Sequence, residues 1–361
     1  MCCPDGRPGR VGPGSPSTLP QPRRAGGSSR AAARGIYGRL VASAEQDAGG
    51  RVVGPLSLGA LDVAATLSAM RRGSGDPTYR VHPSAGGPQI WKAWQTPCGP
   101  VTVRLSQARA GEPVSARLWG PGGDWVADRL PMMLGASDDP SGFAPAHPAV
   151  ARAARLRPGL RVPATQLVIE ALVPSIIEQR VTGAEAFGAY RRLVRAFGHP
   201  APGPGAAGLT VAPTAADWAR VPSWAWIRAG VDASRSDTVM RAVRAAASLE
   251  RCAQLSPGAA RARLMAIPGV GVWTAAEVAH VALGDADAVS FGDYHVAADI
   301  GVALTGEAVD DRGLERLLRP YLGHRYRVQR LLELVGARRE RHGPRRSLPS
   351  HVPAFARASR R

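Results

Sequence analysis

The sequence predicts an α+β protein, with a small antiparallel-sheet domain over residues 50–146 followed by an all-α domain over residues 147–340. In the first range, short apolar runs alternate with Gly and Pro, which is typical of strands joined by turns. In the second range, apolar residues recur every three to four positions over long stretches, which indicates helices. A chain of 361 residues is long enough to bury the cores of two such domains.

Four strands and one helix are predicted in the sheet domain. The strand segments are 51–58 (RVVGPLSL), 88–96 (PQIWKAWQT), 99–107 (GPVTVRLSQ) and 113–120 (PVSARLWG). Residues 58–73 have helical spacing at Leu61, Ala64, Leu67 and Met70, and Gly73 is expected to end this helix.

The all-α domain divides into seven segments of helical pattern. They cover residues 147–159, 163–198 (a pair of helices), 223–231, 233–252, 257–284, 293–304 and 313–336. Residues 199–218 are rich in Pro and Gly and are expected to form an irregular crossing inside this domain.

The net charge of +18 indicates a polyanionic partner, most plainly nucleic acid. Residues 1–36 hold six Arg and one Asp, while residues 337–361 hold eight Arg and one Glu, so only +6 remains between them. We expect residues 1–36 and 341–361 to be disordered basic tails. Such tails are either simply solvated or add contacts to phosphates that do not depend on sequence.

Cysteine and lysine are both scarce. Cys2, Cys3, Cys98 and Cys252 show no paired spacing, which argues against a structural zinc or an iron–sulfur cluster and favours a reducing cytoplasm. No apolar run is long enough to span a membrane, and no apolar segment follows Arg23-Arg24 as it would in a signal peptide. Lys92 is the only lysine.

Residues 256–284 predict two helices joined by a tight turn. Ser256 is suited to cap the first helix, with Pro257 at its first position, and the helix is expected to run to about Ala266. The turn Ile-Pro-Gly-Val-Gly follows at 267–271, and the second helix is expected to end at Gly284. The glycines of the turn have two interpretations: they permit positive φ angles, or they let a phosphate approach the backbone.

This hairpin resembles the helix-hairpin-helix DNA glycosylase superfamily, whose motif L-x-x-[IL]-P-G-[VI]-G-x-x-T-A precedes a catalytic Asp by about twenty residues. Here the motif runs from Leu264 to Ala275, and Gly292-Asp293-Tyr294 follows. The bacterial DNA-3-methyladenine glycosylase II group is the most similar branch, because it shares an aromatic residue in the second helix and an Asp-Tyr pair. The resemblance covers about residues 50–340, including 76–80 (DPTYR), 96–103 (TPCGPVTV), 119–125 (WGPGGDW) and 176–187 (IIEQRVTGAEAF).

The resemblance implies roles for particular residues. Asp293 would be the catalytic carboxylate, and Trp273 and Tyr294 would line the pocket for the flipped base. DNA would be bound by Gln179, Arg180, Gly269, Val270, Gly271 and Thr274. In the family the Gln stands on a helix that faces the gap left by the flipped base, and a close relative carries an apolar wedge where this chain has Arg180. The main-chain carbonyls of Met265, Ile267 and Val270 would hold a monovalent cation, Na⁺ or K⁺, and no other cofactor is implied.

The chemistry of base release agrees with these roles. Breaking an N-glycosidic bond builds positive charge on the sugar, which a carboxylate stabilises while it orients water. The bond is reachable only after the nucleotide rotates out of the duplex. An alkylated purine is already cationic, so a second, acidic carboxyl is dispensable, and aromatic faces favour such a base by about 0.5–2 kcal/mol.

Trp273 stands where bifunctional relatives carry a lysine that forms a Schiff base. The sequence therefore predicts a monofunctional glycosylase for alkylated purines of the 3-methyladenine type in double-stranded DNA. We expect a monomer in the bacterial cytoplasm, associated with the nucleoid. The alternatives are a glycosylase for uracil or an oxidised purine, or a helix-hairpin-helix module that binds DNA without catalysis.

The segment 284–296 contains two further aspartates besides Asp293. We expect Asp285 and Asp287 to be exposed, replaceable turn residues. A calcium loop fits the segment poorly, because Val289 and Ser290 stand where a ligand and a glycine are required. Asp293 is also suited to cap the helix that follows. Trp273 and Tyr294 have the alternative of being ordinary core aromatics. Gln179 has its own alternative, a helix-interior polar residue bonded to backbone.

Overall fold

A five-stranded antiparallel sheet forms the first part of the described chain. The computed structural model describes residues 49–204 and 208–337. The strands are β1 Arg51–Leu56, β2 Tyr79–His82, β3 Gln89–Thr96, β4 Gly99–Ser106 and β5 Val114–Trp119. They pair in the order β1-β5-β4-β3-β2. All neighbouring strands are antiparallel. The strands β1, β3, β4 and β5 lie within the four predicted segments.

The sheet contains one strand, β2, that the sequence does not predict. β2 has four residues and pairs along its length with β3. So short a run gives too few positions for a two-residue alternation to be visible.

Two helices accompany the sheet. The segment predicted over 58–73 is helical only as α1 Val63–Leu67, capped by the Asp62 carboxylate, and as a 3-10 turn at Ser68–Met70. The helix α2 Gly123–Met133 is not predicted, because its first residue is Gly and Pro131 lies within its last turn.

The remaining helices confirm the predicted change to helical pattern. They are α3 Pro148–Leu156, α4 Val168–Ile177, α5 Gly183–Phe197, α6 Ala215–Arg220, α7 Ser223–Ala229, α8 Ala233–Arg244, α9 Ala246–Glu250, α10 Pro257–Met265, α11 Val272–Val278, α12 Val296–Thr305, α13 Asp311–Leu318 and α14 Arg325–Leu334. The predicted segment 313–336 breaks into α13 and α14 at the 3-10 turn Arg319–Tyr321.

The sheet and the helices share a hydrophobic core. Val103 of β4, Leu130 of α2 and Leu172 of α4 belong to one buried cluster, which reaches Val278 of α11. A second cluster holds α12, α13 and α14 together around Ile300, Leu314 and Val328. The helix that carries Trp273 therefore rests on the same core as the sheet.

The predicted crossing over 199–218 contains a separate two-stranded sheet. β6 His199–Pro200 pairs with β7 Thr210–Val211, and residues 205–207 between them lie outside the described residues. Val211 is buried with the stacked rings of Trp91 and Trp119, whose centroids are 5.4 Å apart. The crossing therefore packs on the sheet instead of running free over the helices.

The predicted tails, residues 1–36 and 341–361, lie outside the described residues. Within residues 49–204 and 208–337, none of the helices has the length and apolarity that crossing a membrane requires.

Candidate active site

The predicted hairpin is present as α10 and α11, joined by a tight turn. Ser256 has the extended backbone of an N-cap, although its side chain makes no capping bond. After Val278 the helix continues as one π-helical stretch, Ala279–Leu283, and ends at Gly284 with φ +69°. Arg241 of α8 donates from Nε to the carbonyl of Pro268 at 2.9 Å, which ties the turn to a neighbouring helix.

The two glycines of the turn differ in why they are needed. Gly269 has φ +95°, and a Cβ there would lie 2.2 Å from Oγ1 of Thr238. Gly271 has φ −99°, and a Cβ there would meet nothing within 4 Å. Conformation and packing therefore explain Gly269, whereas Gly271 leaves an exposed stretch of backbone open to approach.

Gln179 contacts the hairpin directly. Its Nε2 donates to the carbonyl of Gly269 at 2.9 Å and to Oγ1 of Thr274 at 2.8 Å. The residue follows the end of α4, so it lies in the loop between α4 and α5 and not inside a helix. Thr274 is buried, and its hydroxyl faces Gln179. The structure thus brings three of the predicted DNA-binding residues together.

Two other predicted DNA-binding residues lie beside this group. Arg180 is exposed and has φ +57°, an uncommon angle for a residue with a side chain. Val270 is 6% exposed and donates its N–H to the carbonyl of Ile267 at 2.9 Å. Arg180 alone of the two presents a side chain to solvent.

Asp293 bonds both to the backbone at the start of α12 and to Trp273. Its Oδ1 accepts from the backbone N–H groups of His295, at 2.7 Å, and Val296, at 3.1 Å, at the start of α12. Its Oδ2 accepts from Nε1 of Trp273 at 3.1 Å. Three donors from two elements therefore fix the orientation of a half-buried carboxylate.

The two predicted pocket aromatics have different surroundings. Trp273 is half-buried, with its indole N–H directed at Asp293. Tyr294 is 84% exposed, and its ring is nearly perpendicular to that of His295, with 4.9 Å between the centroids. Neither residue is an ordinary core aromatic.

The expectation that Asp285 and Asp287 are exposed and replaceable is wrong. Asp285 is 5% exposed and pairs with Arg261 of α10. Asp287 accepts from Nε of Arg325 at 2.8 Å and from its second guanidinium nitrogen at 2.6 Å, and from the N–H of Gly323 at 2.8 Å. Burial would raise the pKa of Asp287, but the hydrogen bonds from Arg325 outweigh it and hold the pKa below its usual value. Both carboxylates therefore anchor the segment that leads to Asp293.

Glu277 is a functional candidate that the sequence reasoning misses. It stands four residues after Trp273, so both side chains lie on one face of α11. Its Oε1 accepts from Oγ of Ser290 at 2.7 Å, and the N–H of Asp293 donates to the carbonyl of Ser290 at 3.2 Å. The spacing from Trp273 is the signal that could have identified it.

The environment of Glu277 favours its neutral form. Burial raises the pKa of its carboxyl to about 8, the hydrogen bond from Ser290 opposes this, and the nearby Glu178 raises it further. Arg72 lies 2.8 Å from Glu178 and carries the balancing charge. The side chain of Glu277 is nevertheless 24% exposed, so it stays in contact with solvent.

Lys92, the single lysine, contacts none of the predicted site residues in the described part of the chain. Lys92 is 4% exposed on β3, and its Nζ donates to Oγ1 of Thr78 at 2.7 Å and lies 3.5 Å from Oε1 of Glu170. A half-open cavity of about 250 Å³ also borders Glu170, between the end of β3 and the helices α4, α6 and α9. It contains none of the predicted site residues.

Comparison with known proteins gives matches only among solved structures. No family model and no curated protein matches this chain. The 3-methyladenine DNA-glycosylase from Archaeoglobus fulgidus superposes with a TM-score of 0.61 at 17% identity, covering 76% of this chain and 95% of that one. The Clostridium acetobutylicum 8-oxoguanine glycosylase/lyase, solved with DNA containing 8-oxoguanine opposite cytosine, gives a TM-score of 0.57 at 12% identity and covers 79% of this chain and 94% of that one.

Both neighbours are covered almost completely, and the likeness extends over about three quarters of this chain. At such identities the similarity establishes architecture and leaves chemistry to be argued from the residues. The described chain therefore shares its fold with these two solved DNA glycosylases.

Proposed function

We propose that this chain is a monofunctional DNA glycosylase of base excision repair. It would flip a damaged base out of double-stranded DNA and hydrolyse its N-glycosidic bond, with alkylated purines of the 3-methyladenine type as substrates. The observation that carries the proposal is the Asp293 carboxylate, held by Trp273 on the second helix of the hairpin. The fold and the solved DNA complex of the Clostridium acetobutylicum neighbour support it.

Asp293 would act on the sugar and Trp273 on the base. A carboxylate beside C1′ stabilises the positive charge that develops there and directs water to the carbon. The half-buried indole of Trp273 offers a face to a cationic base, and the exposed ring of Tyr294 is available for a second. A binding module without catalysis would not need a carboxylate oriented by an indole.

The hairpin turn and the loop before α5 would contact the DNA. Gly271 leaves the backbone open to a phosphate, and Gln179 fixes the turn through Gly269 and Thr274. Arg180 is exposed beside Gln179 and would occupy the gap left by the flipped base, where its guanidinium plane can stack on a neighbouring base.

The cation site is also part of the proposal. The carbonyl oxygens of Met265, Ile267 and Val270 are hard ligands of the kind that Na⁺ and K⁺ accept. The Ile267 carbonyl already accepts from the N–H of Val270, but a carbonyl oxygen has a second lone pair for an ion. A cation here would bridge the turn to a phosphate.

Position 273 carries a tryptophan and not a lysine, which supports the monofunctional assignment. A Schiff base needs an uncharged amine at the sugar, and Lys92 is buried in the sheet with other partners. We therefore propose base release without cleavage of the strand, by a monomer that works in the bacterial cytoplasm on the nucleoid. Borohydride should trap no covalent complex with Lys92.

An oxidised purine is the second candidate substrate. The Clostridium acetobutylicum neighbour is named for 8-oxoguanine and matches almost as well as the 3-methyladenine enzyme. A panel of duplexes, each with one 7-methylguanine, uracil or 8-oxoguanine, separates the candidates by which base is released.

The decisive test is Asp293→Asn, measured by single-turnover release of 7-methylguanine. We expect a loss of at least about 100-fold, because the charge at C1′ disappears, while binding to the same duplex persists. Asparagine is as good a helix cap as aspartate, so α12 should remain folded. Asp128→Asn, at an exposed position of α2, is the matched control. Full activity of the Asp293→Asn enzyme would contradict the proposal.

A further inference from the structure

The strongest unassigned feature of the molecule is the carboxyl of Glu277 beside the Asp293 turn. It shares a face of α11 with Trp273, whose indole N–H bonds to Asp293. It is also linked to the Asp293 turn through Ser290. Hydrogen bonds therefore connect two carboxyl groups from two elements to the same turn.

The hydrogen bonds around Ser290 show which oxygen of Glu277 is available. Nε2 of Gln329 donates to Oγ of Ser290 at 2.9 Å, and this hydroxyl in turn donates to Oε1 of Glu277 at 2.7 Å. Oε1 is thus an acceptor. In residues 49–204 and 208–337, Oε2 makes no hydrogen bond, so a proton on this carboxyl resides on Oε2 and is free to be donated.

The groups that face Glu277 keep it protonated at neutral pH. Burial raises the pKa of the carboxyl to about 8, the hydrogen bond from Ser290 and the charge of Arg72 lower it, and two carboxylates raise it further. His280 lies 3.7 Å away on the same helix, and burial lowers its pKa to about 3, so it brings no charge. The charged or titratable neighbours are Glu178, Arg72, Glu333, His280, Arg330 and Tyr326.

We propose that Glu277 is a general acid that protonates the leaving base, which extends the activity to uncharged damaged purines. This inference rests on the proposed function. An uncharged purine leaves poorly as an anion, unlike an alkylated one, and a proton on a ring nitrogen removes that difficulty. The second carboxyl that a cationic substrate makes dispensable is present in this chain.

The proposed step balances. The C1′–N9 bond breaks with its electron pair going to the base, and the proton of Glu277 passes to N3 or N7 of the purine. Water then adds to C1′ and gives a proton to the Asp293 carboxylate. Exchange with solvent returns Asp293 to its ionised form and Glu277 to its neutral form. Redox chemistry is not involved.

The test compares two lesions in the same duplex sequence, hypoxanthine as the uncharged purine and 7-methylguanine as the cationic one. Glu277→Gln keeps the shape of the side chain but cannot transfer a proton. General acid catalysis contributes about 10²–10⁴-fold. We therefore expect the release of hypoxanthine to fall at least about 100-fold, and at least ten times more than that of 7-methylguanine. Glu315→Gln, at an exposed position of α13, is the matched control.

The pH profile distinguishes an acid from a structural residue. With wild-type enzyme, release of hypoxanthine should fall above about pH 8, where Glu277 loses its proton, and this limb should be missing with Glu277→Gln. The melting temperature of each variant shows whether it is folded.

The possible outcomes separate a failure of the acid role of Glu277 from a failure of the proposed function. Equal losses on both lesions, no loss on hypoxanthine, or wild-type release of 7-methylguanine without any release of hypoxanthine would overturn the role of Glu277 and leave the proposed function standing. Wild-type enzyme that releases no base from the whole lesion panel would overturn the proposed function and this inference with it.

Discussion

At Asp293, one carboxylate serves two purposes. Oδ1 completes the start of α12, and Oδ2 is oriented by an indole that belongs to a different helix. A cap holds the carboxylate to the backbone, which leaves it few alternative rotamers. In the sequence, a capping role and a catalytic role are compatible at Asp293, and in the structure the bonds to the start of α12 help to position the carboxylate.

Replacing Trp273 separates its two contributions. Trp273→Phe removes the donor to Asp293 but keeps an aromatic face, so we expect release of 7-methylguanine to fall by about tenfold or more, the value of one hydrogen bond to a charged group. Trp273→Ala removes the face as well and should lose more. Single-turnover kinetics of the two variants checks this order, and an unchanged rate with Phe would show that the indole N–H does not orient the carboxylate.

The hairpin shows, at the scale of an element, that two glycines of one motif do different work. Gly269 needs its positive φ and its contact with Thr238, whereas the space around Gly271 is empty. The motif alone favours the conformational interpretation and leaves the phosphate interpretation open. The structure assigns conformation to one glycine and accessibility to the other.

Alanine at each glycine tests this assignment. Gly269→Ala should lower the free energy of unfolding by about 1–3 kcal/mol, because the residue is strained at φ +95° and meets Thr238. Gly271→Ala should leave the melting temperature nearly unchanged but weaken DNA binding by about tenfold, or 1.4 kcal/mol. Gly258→Ala, where a Cβ also meets open space, is the control. Unaltered binding by Gly271→Ala would mean that DNA does not approach this turn.

The elements that the sequence predicts well are those whose signal is local. The strands β3 and β4 have eight residues each, enough to be recognised as strands from the sequence. The turn at 267–271 is recognised by its sequence Ile-Pro-Gly-Val-Gly. β2 and α2 escape prediction because one is too short and the other contains Pro131. The break between α13 and α14 does carry local signals, Pro320 in the 3-10 turn and Gly323 at φ +89°, which the helical spacing on either side obscures.

The site residues divide in the same way. Asp293 and Trp273 belong to a motif within one stretch of sequence. The partners of Asp285 and Asp287 lie 24 and 38 residues away, so nothing near them in the sequence shows that they are engaged. Burial is the main cause of the raised pKa of Glu277, and Glu178, from a distant part of the chain, raises it further, so only the fold reveals it.

For the whole molecule, charge is distributed unevenly along the chain. Only +6 of the net +18 belongs to residues 37–336, although the proposed ligand is a polyanion. The binding energy from phosphates therefore depends on whether the tails reach the DNA.

Deleting residues 1–36 and 341–361 tests this dependence. We expect weaker binding and a shallower dependence of affinity on salt, because the slope of log K against log[salt] is about −0.9 per phosphate neutralised. Binding titrations at several salt concentrations, with full-length protein beside the truncated one, measure the slope. An identical slope would show that the tails make no phosphate contacts.

The ion pairs of Asp285 and Asp287 keep the segment before Asp293 ordered in the absence of a ligand. Arg261 and Arg325 fasten the loop to α10 and α14 in the free protein, so its backbone entropy is lost once, when the chain folds. A ligand that reaches Asp293 meets a loop that is already in place and does not have to order it, which leaves more of the contact energy for distorting the ligand itself.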